Sequence, residues 1–369
     1  MKVLFLVYHP VDPYITFETA KRIEENGGEV FYGIIEKEGI IKKIIDDYKF
    51  NNQTIGVSKP SFIGKLFNVI SLSIKINKIV KKFKPDLVFS PAGPYSSIAL
   101  KFSKIPLICW EDTETATFNF KYSHKRIDTL LLTKSFYKEL PGNNIIRFNG
   151  YKELAYLHPS VFKANSTILK TLGLTKNDKI VLMRFSALNA MHDIGLKSEV
   201  ESNDTKILKF IKKIEVEYKA KVFISVTERN LDERFDDYKL MIEPSQYVHL
   251  LSFCSLYIGE GTTTASEAGV LGVPWIALRD KPLGYLNDQE DNYGLGIRTD
   301  NFDLALKKAE EYLQDHIKVQ WAEKRKRLLT DKIDVSAFLT WFLCNYPQSD
   351  SIMKEKPDYQ NKFKRTSNL

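Results

Sequence analysis

Cysteine is scarce in this chain. Cys109, Cys254 and Cys344 are the three among 369 residues, far apart and in apolar surroundings. An odd, scattered set excludes a disulfide framework and a thiolate zinc site, and points to buried free thiols in a reducing compartment. Long apolar runs are missing too: none approaches the roughly 20 residues that a membrane-spanning helix needs. Met1–Tyr8 has the look of a signal peptide, but its apolar run is short. His9, Pro10, Asp12 and Pro13 follow in place of a small-residue cleavage site. It reads as the first buried strand of a cytosolic protein. The loop after that strand, His9–Pro13, has no glycine, so the first half is not expected to hold a dinucleotide on a glycine-rich loop. No Gly-x-Ser-x-Gly elbow occurs, which argues against a serine hydrolase of that type. No set of His, Cys, Asp and Glu has metal-ligand spacing, so no metal or other cofactor is expected. Asp236-Asp237 lies in a polar helical stretch and reads as a solvated face.

What is present is globular: 43% hydrophobic and 27% charged residues. The length suits two α/β domains of about 150–180 residues each. Apolar runs alternate with helical patterns from Val3 onward, which is the pattern of two doubly wound series, one after the other. Strands are expected at Val3–Tyr8, Leu87–Ser90, Leu107–Trp110, Leu130–Thr133 and Ile180–Phe185, the first helix at Phe17–Asn26, and loops at Asn51–Lys59 and Arg279–Asp291. Residues 1–150 make the first Rossmann-like domain and 166–330 the second, joined by the connector Asn149–Asn165. A helix within 331–346 is expected to pack back across the domains, and the Lys-rich stretch 347–369 to be a disordered tail. The net charge is +8. Aromatics are not interleaved with the basic runs, so nucleic acid is not an expected partner. Phe62–Phe83 carries apolar residues at helical spacing with lysines among them. A helix packed on the sheet is the favoured reading; a peripheral face meeting anionic lipid at the inner membrane surface is the other.

The stretch Ser255–Leu278 organises the rest. Leu256–Ile258 reads as a buried strand, Gly259 and Gly261 as a turn, and Ala265–Leu271 as a helix capped by Thr262, Thr263 or Thr264. Gly272 and Pro274 stop it, and Trp275–Leu278 is the next strand. A helix opening from a glycine turn presents free N–H groups and a positive dipole end, which suits phosphate. Glu267 would repel a bare phosphate but can accept hydrogen bonds from a ribose diol. Phosphate donors and a ribose acceptor in one turn suggest a nucleotide. At the end of an earlier strand, Glu111-Asp112-Thr113-Glu114 places three carboxylates where ligands bind in open α/β sheets.

Two successive Rossmann-like halves, with Gly261, Glu267, Gly272 and Pro274 in register late in the second, resemble the GT-B architecture of glycosyltransferases and non-hydrolysing UDP-N-acetylglucosamine 2-epimerases. The likeness is nearer to an uncharacterised prokaryotic family, domain-of-unknown-function family 354. It is carried by Asp112-Thr-Glu114, Arg147–Pro159, Arg184 with the loop to His192-Asp193, Gly259–Pro274 and Asp331–Val335. The resemblance implies two domains facing a central cleft. The first is the acceptor side and the second the donor side, and a UDP-sugar is held on the glycine turn.

The chemistry implied is metal-independent sugar transfer from a UDP-sugar to a glycan or lipid-linked acceptor. Gly259, Gly261, Thr262, Thr263, Thr264, Arg184 and Ser186 would then meet the diphosphate and Glu267 the ribose. The base would lie near Thr227, Glu228 and Pro244–His249, and His192 and Asp193 are further candidates. On the acceptor side the candidates are Asp112 or Glu114 as general base, His9 as runner-up, and Asp12. An epimerase-like enzyme is the alternative, although His9–Pro13 lacks the basic residue and the second domain the histidine that epimerases use. A non-catalytic nucleotide-sugar-binding protein is the third reading.

Overall fold

Apolar runs without polar alternation make strands buried on both faces, and such strands pair in parallel. Every strand pairing among the described residues is parallel. The computed structural model describes residues 1–36, 39–57, 62–115, 123–186, 204–227, 233–279 and 281–365; the side chains of 62–67, 186, 226 and 227 fall outside that description. The chain divides into two compact units. One is Met1–Val161 with the stretch that returns from Lys332, and the other is Phe162–Asp331.

Among the described residues the first unit is built on a seven-stranded sheet. Its strands are β1 (Lys2–Val7), β2 (Glu29–Glu36), β3 (Asn52–Val57), β4 (Leu87–Pro91), β5 (Leu107–Glu111), β6 (Thr129–Thr133) and β7 (Ile145–Phe148). Their order is β3-β2-β1-β4-β5-β6-β7, the winding of a dinucleotide-binding sheet with one added strand. Val3 to Val7 of the central β1 are all buried. The helix Val335–Cys344 closes this unit; Cys344, at its C-terminal end, is exposed where the sequence predicts burial, while Cys109 and Cys254 are buried. Asp334 caps it, accepting from Ala337 N at 2.9 Å, and Phe338 stacks on Phe148 with centroids 5.7 Å apart.

Among the described residues the second unit has five strands: β8 (Ile180–Ser186), β9 (Lys221–Thr227), β10 (Leu256–Gly259), β11 (Trp275–Ala277) and β12 (Gly296–Arg298). Their order is β12-β11-β10-β8-β9, the flavodoxin-like winding.

Four departures from the sequence reading bear on the fold. The first helix starts at Asp12, ahead of the expected Phe17, because Pro13 in the first turn lacks only an N–H the helix does not need. Asn52–Val57, expected as loop, is edge strand β3; only Ile55 is buried, so it carries no apolar signal. Gly284–Asp291, also expected as loop, is a polar helix whose buried Gln289 accepts from Trp275 Nε1 at 3.1 Å and donates to Ser266 Oγ at 2.9 Å. The stretch after Tyr346, expected to be disordered, forms the helix Gln348–Glu355 and the 3-10 turn Pro357–Phe363. Gln360 fixes it to the first unit: its Oε1 accepts from Asn149 N at 2.6 Å and its Nε2 donates to Arg147 O at 3.3 Å.

Candidate functional site

In the second unit β9 lies beyond β8, while β11 and β12 lie beyond β10. The winding reverses between β8 and β10. In open α/β sheets, ligands bind outside the strand C-termini at that reversal. Arg184 and Gly259 are register partners there. A Cβ on Gly259 would stand 2.2 Å from Arg184 O, so close strand approach is what requires this glycine. Gly261 is the N-cap of the helix Thr262–Leu271 and offers no side-chain cap. Thr262, Thr263 and Thr264 are therefore the first three helical residues, not caps as the sequence suggests. The first intrahelical bond runs from Ala265 N to Gly261 O at 3.0 Å. The N–H groups of Thr262, Thr263 and Thr264 precede it and point from the positive end of the helix with no carbonyl in the preceding turn to receive them.

Arg184 lies along this mouth. Its Cδ would be 3.0 Å from a Cβ on Gly261, and Tyr257 Oη 2.9 Å from it. Tyr257 Oη donates to Gly261 O at 2.9 Å and fixes the turn. The guanidinium sits 5.3 Å from the centre of the Tyr247 ring. Burial would depress Arg184, but the Tyr247 and Tyr257 oxygens and the Glu267 carboxylate more than offset it and hold the guanidinium above its ordinary value. Glu267 is in the second turn of the helix and 8% exposed. The helix itself is held at its middle and at its C-terminal end. Gln289 grips Ser266, and Gly272 ends it in the left-handed region at φ 79° with Arg325 Nε donating to Val270 O at 2.9 Å.

Of the other donor-side candidates, only His249 has a described side chain. Ser186 and Thr227 pair at the ends of β8 and β9, and their side chains lie outside the description. His192, Asp193 and Glu228 lie outside the described residues. His249 is half-buried and stacks on Phe162 with centroids 5.1 Å apart, its Nδ1 accepting from Asn165 N at 3.2 Å. Burial lowers its pKa below the ordinary histidine value. That arrangement is the packing of a neutral ring.

In the first unit the acidic residues form a buried cluster around one lysine. Lys152 Nζ is 2.6 Å from Asp112 Oδ2 and 3.9 Å from Glu153 Oε1. Asp112, Lys152 and Glu153 are all buried. Asp12 joins the cluster electrostatically. Its Oδ2 accepts from Tyr8 N at 2.7 Å and His9 N at 2.8 Å. Burial pushes its pKa up to about 7 against those two bonds and the Lys152 charge, and Asp112 adds to the rise. Glu114 is fully buried and takes other partners: its Oε1 accepts from Tyr137 N at 3.3 Å, and Lys138 Nζ donates to its carbonyl at 2.7 Å. His9 is exposed on the loop after β1.

Sequence reasoning names Asp12, Asp112 and Glu114 but not Lys152 or Glu153. The signal was adjacent charges inside an otherwise apolar connector, Gly150–Leu157. It also passes over Tyr247 and Tyr257, the ring and hydroxyl that hold Arg184 and Gly261.

A profile of the family described as "Protein of unknown function (DUF354)" matches residues 11–345. No curated protein matches the chain. Among solved structures, a putative UDP-N-acetylglucosamine 2-epimerase from Listeria monocytogenes is similar with TM-score 0.69 at 14% identity, covering 95% of this chain and 97% of that one. The UDP-GlcNAc 2-epimerase from Neisseria meningitidis, bound to UDP-GlcNAc, is similar with TM-score 0.63 at 14% identity, over 93% of this chain and 100% of that one. MurG from Acinetobacter baumannii is similar with TM-score 0.55 at 10% identity, over 93% and 99%. At such identities the likeness is one of fold, and the fold is α/β of the GT-B type.

Proposed function

The chain belongs to the DUF354 family, proteins of unknown function, and on that premise we propose that it is a glycosyltransferase that draws its sugar from a UDP-sugar without an obligatory metal. One observation carries this reading. The uncapped helix start at Gly261, the Arg184 guanidinium and the Glu267 carboxylate meet at the winding reversal of one sheet. The diphosphate lies against the N–H groups of Thr262, Thr263 and Thr264 and against Arg184. As the sugar leaves, negative charge grows on the diphosphate, and fixed donors with a cation stabilise it. Glu267 accepts from the ribose hydroxyls. The site's epimerase-fold relative from Neisseria, solved with UDP-GlcNAc, supports the choice of nucleotide sugar.

On the acceptor side, a general base works best with a pKa near the working pH. Asp12, at about 7, meets that condition. Its Oδ2 is taken by two amides, which leaves Oδ1 for the proton of an acceptor hydroxyl. Lys152, paired with Asp112, tempers the negative charge around it.

A second reading, an epimerase-like enzyme acting on the UDP-sugar itself, gains from Lys152. That residue brings a cation into the field of Asp12, beside the first-strand loop that lacks one in sequence. One experiment divides the readings. The protein is incubated with UDP-N-acetylglucosamine in deuterated water, first without acceptor and then with extracted glycan lipids. Transfer of the sugar to the lipids with no exchange at sugar C2 is the expected result. Deuterium at C2 points to the epimerase. Binding with neither outcome leaves a non-catalytic nucleotide-sugar-binding protein and overturns the proposal.

A further inference from the structure

The charge of this chain is unevenly placed. Residues 48–110 contain ten lysines, no arginine and a single acid, Asp86, a net of +9 in a chain whose total is +8. The remaining chain is close to neutral. The one acid is engaged, since Asp86 Oδ2 accepts from Lys2 N at 2.7 Å.

The same segment carries a concentration of exposed apolar side chains. On the helix Phe62–Phe83, Ile70 is 54% and Ile74 55% exposed. The helix Pro94–Ala99 packs beside it: Ser73 Oγ donates to Tyr95 O at 3.1 Å and Asn77 Nδ2 to Ala99 O at 2.9 Å. On and just after that second helix, Ile98 is 45% and Phe102 94% exposed. At 100° per residue, Ile70, Ile74, Lys78 and Lys81 fall within one narrow stripe. The exposed stripe is therefore apolar toward one end and basic toward the other, and Lys101 and Lys104 flank Phe102.

We propose that this face, Ile70, Ile74, Ile98 and Phe102 with Lys78, Lys81 and Lys101 around them, docks the protein on an anionic lipid surface. An exposed phenylalanine beside lysines is disfavoured in water. At a bilayer boundary its ring enters the acyl region while the ammonium groups stay with the phosphates. Charge complementarity selects the occupant: a near-continuous positive field with its only acid engaged repels a second copy of itself and attracts a negative surface. No described helix is long and apolar enough to cross a membrane, so the contact is peripheral. The inference goes beyond the proposed function and does not depend on it. It supplies a reason why a lipid-linked acceptor would be met here.

The test is co-sedimentation of the full chain with vesicles of phosphatidylcholine alone, and with about one-third phosphatidylglycerol. The expected result is binding to the anionic vesicles that falls as salt is raised. Two variants on exposed positions should weaken it by about tenfold or more: Lys78→Glu with Lys81→Glu, and Phe102→Ser. UDP binding, measured on the same samples, should not change, which separates this proposal from that of the nucleotide site. Absence of binding to anionic vesicles overturns the inference, as does binding that neither variant alters. A self-associated species that Phe102→Ser dissociates assigns the face to a second copy and overturns it equally.

Discussion

Replacing Glu267 by Gln removes a charge and keeps the volume, which suits a residue only 8% exposed inside a packed helix. If the carboxylate accepts from the ribose, the change removes a hydrogen bond to a charged group, worth about 1.5–3 kcal/mol. That is roughly ten- to over a hundredfold in UDP affinity. A second effect runs the other way. Glu267 contributes to the field on Arg184, and its loss leaves that guanidinium more available to phosphate. The two effects separate when UDP is compared with 2′-deoxy-UDP by calorimetric titration. The parent should prefer UDP, and Glu267→Gln should bind both nucleotides about equally. Because Arg184 keeps the Tyr247 ring beneath it, the variant should melt within about 4 °C of the parent, so that the affinities compare folded proteins. A variant that keeps the parent's UDP affinity and its preference for the 2′-hydroxyl refutes the ribose assignment.

Other outcomes follow from the same geometry. Arg184→Met should weaken UDP by about tenfold or more and leave uridine binding unchanged, since only the diphosphate meets the cation; an equal loss for uridine would mean that the site has collapsed. Gly259→Ala places a methyl 2.2 Å from Arg184 O, on rigid backbone, and should cost about 1–3 kcal/mol or more in denaturant unfolding; parental stability would contradict the register of β8 and β10. Asp12 titrates near 7 when folded against an ordinary 3.8. Over that interval the folded state holds a proton that the unfolded state has lost, so stability falls as pH rises toward 7 and flattens above it. The slope approaches about 1.4 kcal/mol per pH unit. Asp12→Asn keeps an acceptor for the Tyr8 and His9 amides, so it should flatten that slope and abolish sugar transfer at every pH. A variant with the parent's pH dependence of stability would remove Asp12 from the buried cluster.

The strands with continuous apolar runs were legible in sequence because burial on both faces leaves no alternation to misread: β1, β4, β5, β6 and β8 fall within a residue or two of their expected ends. The failures share a cause. β3 and the helix Gly284–Asp291 are polar elements held by tertiary partners, β2 for one and Ser266 and Trp275 for the other. Local propensity has no access to those partners. The stretch after Tyr346 was read as tail from its lysines, whereas its order comes from Gln360 and from rings such as Tyr359 on Trp341, 4.9 Å between centroids. At the site, the turn, the helix and Arg184 were visible as residue types at a spacing. The reasons for the glycines were not. Gly259 answers to Arg184 O and Gly261 to Tyr257 Oη and Arg184 Cδ, and the Arg184 contacts cross from β8 to the end of β10. The Lys152 pair with Asp112 joins residues forty positions apart, and no spacing rule predicts it.

The central claim is that the helix start at Gly261 holds the diphosphate of a UDP-sugar. A crystal structure of the protein soaked with UDP tests it most directly. Phosphate oxygens should lie at about 3 Å from the N–H groups of Thr262, Thr263 and Thr264, with Arg184 beside them and a ribose hydroxyl on Glu267. UDP bound elsewhere, or a bare helix start at saturating UDP, contradicts it.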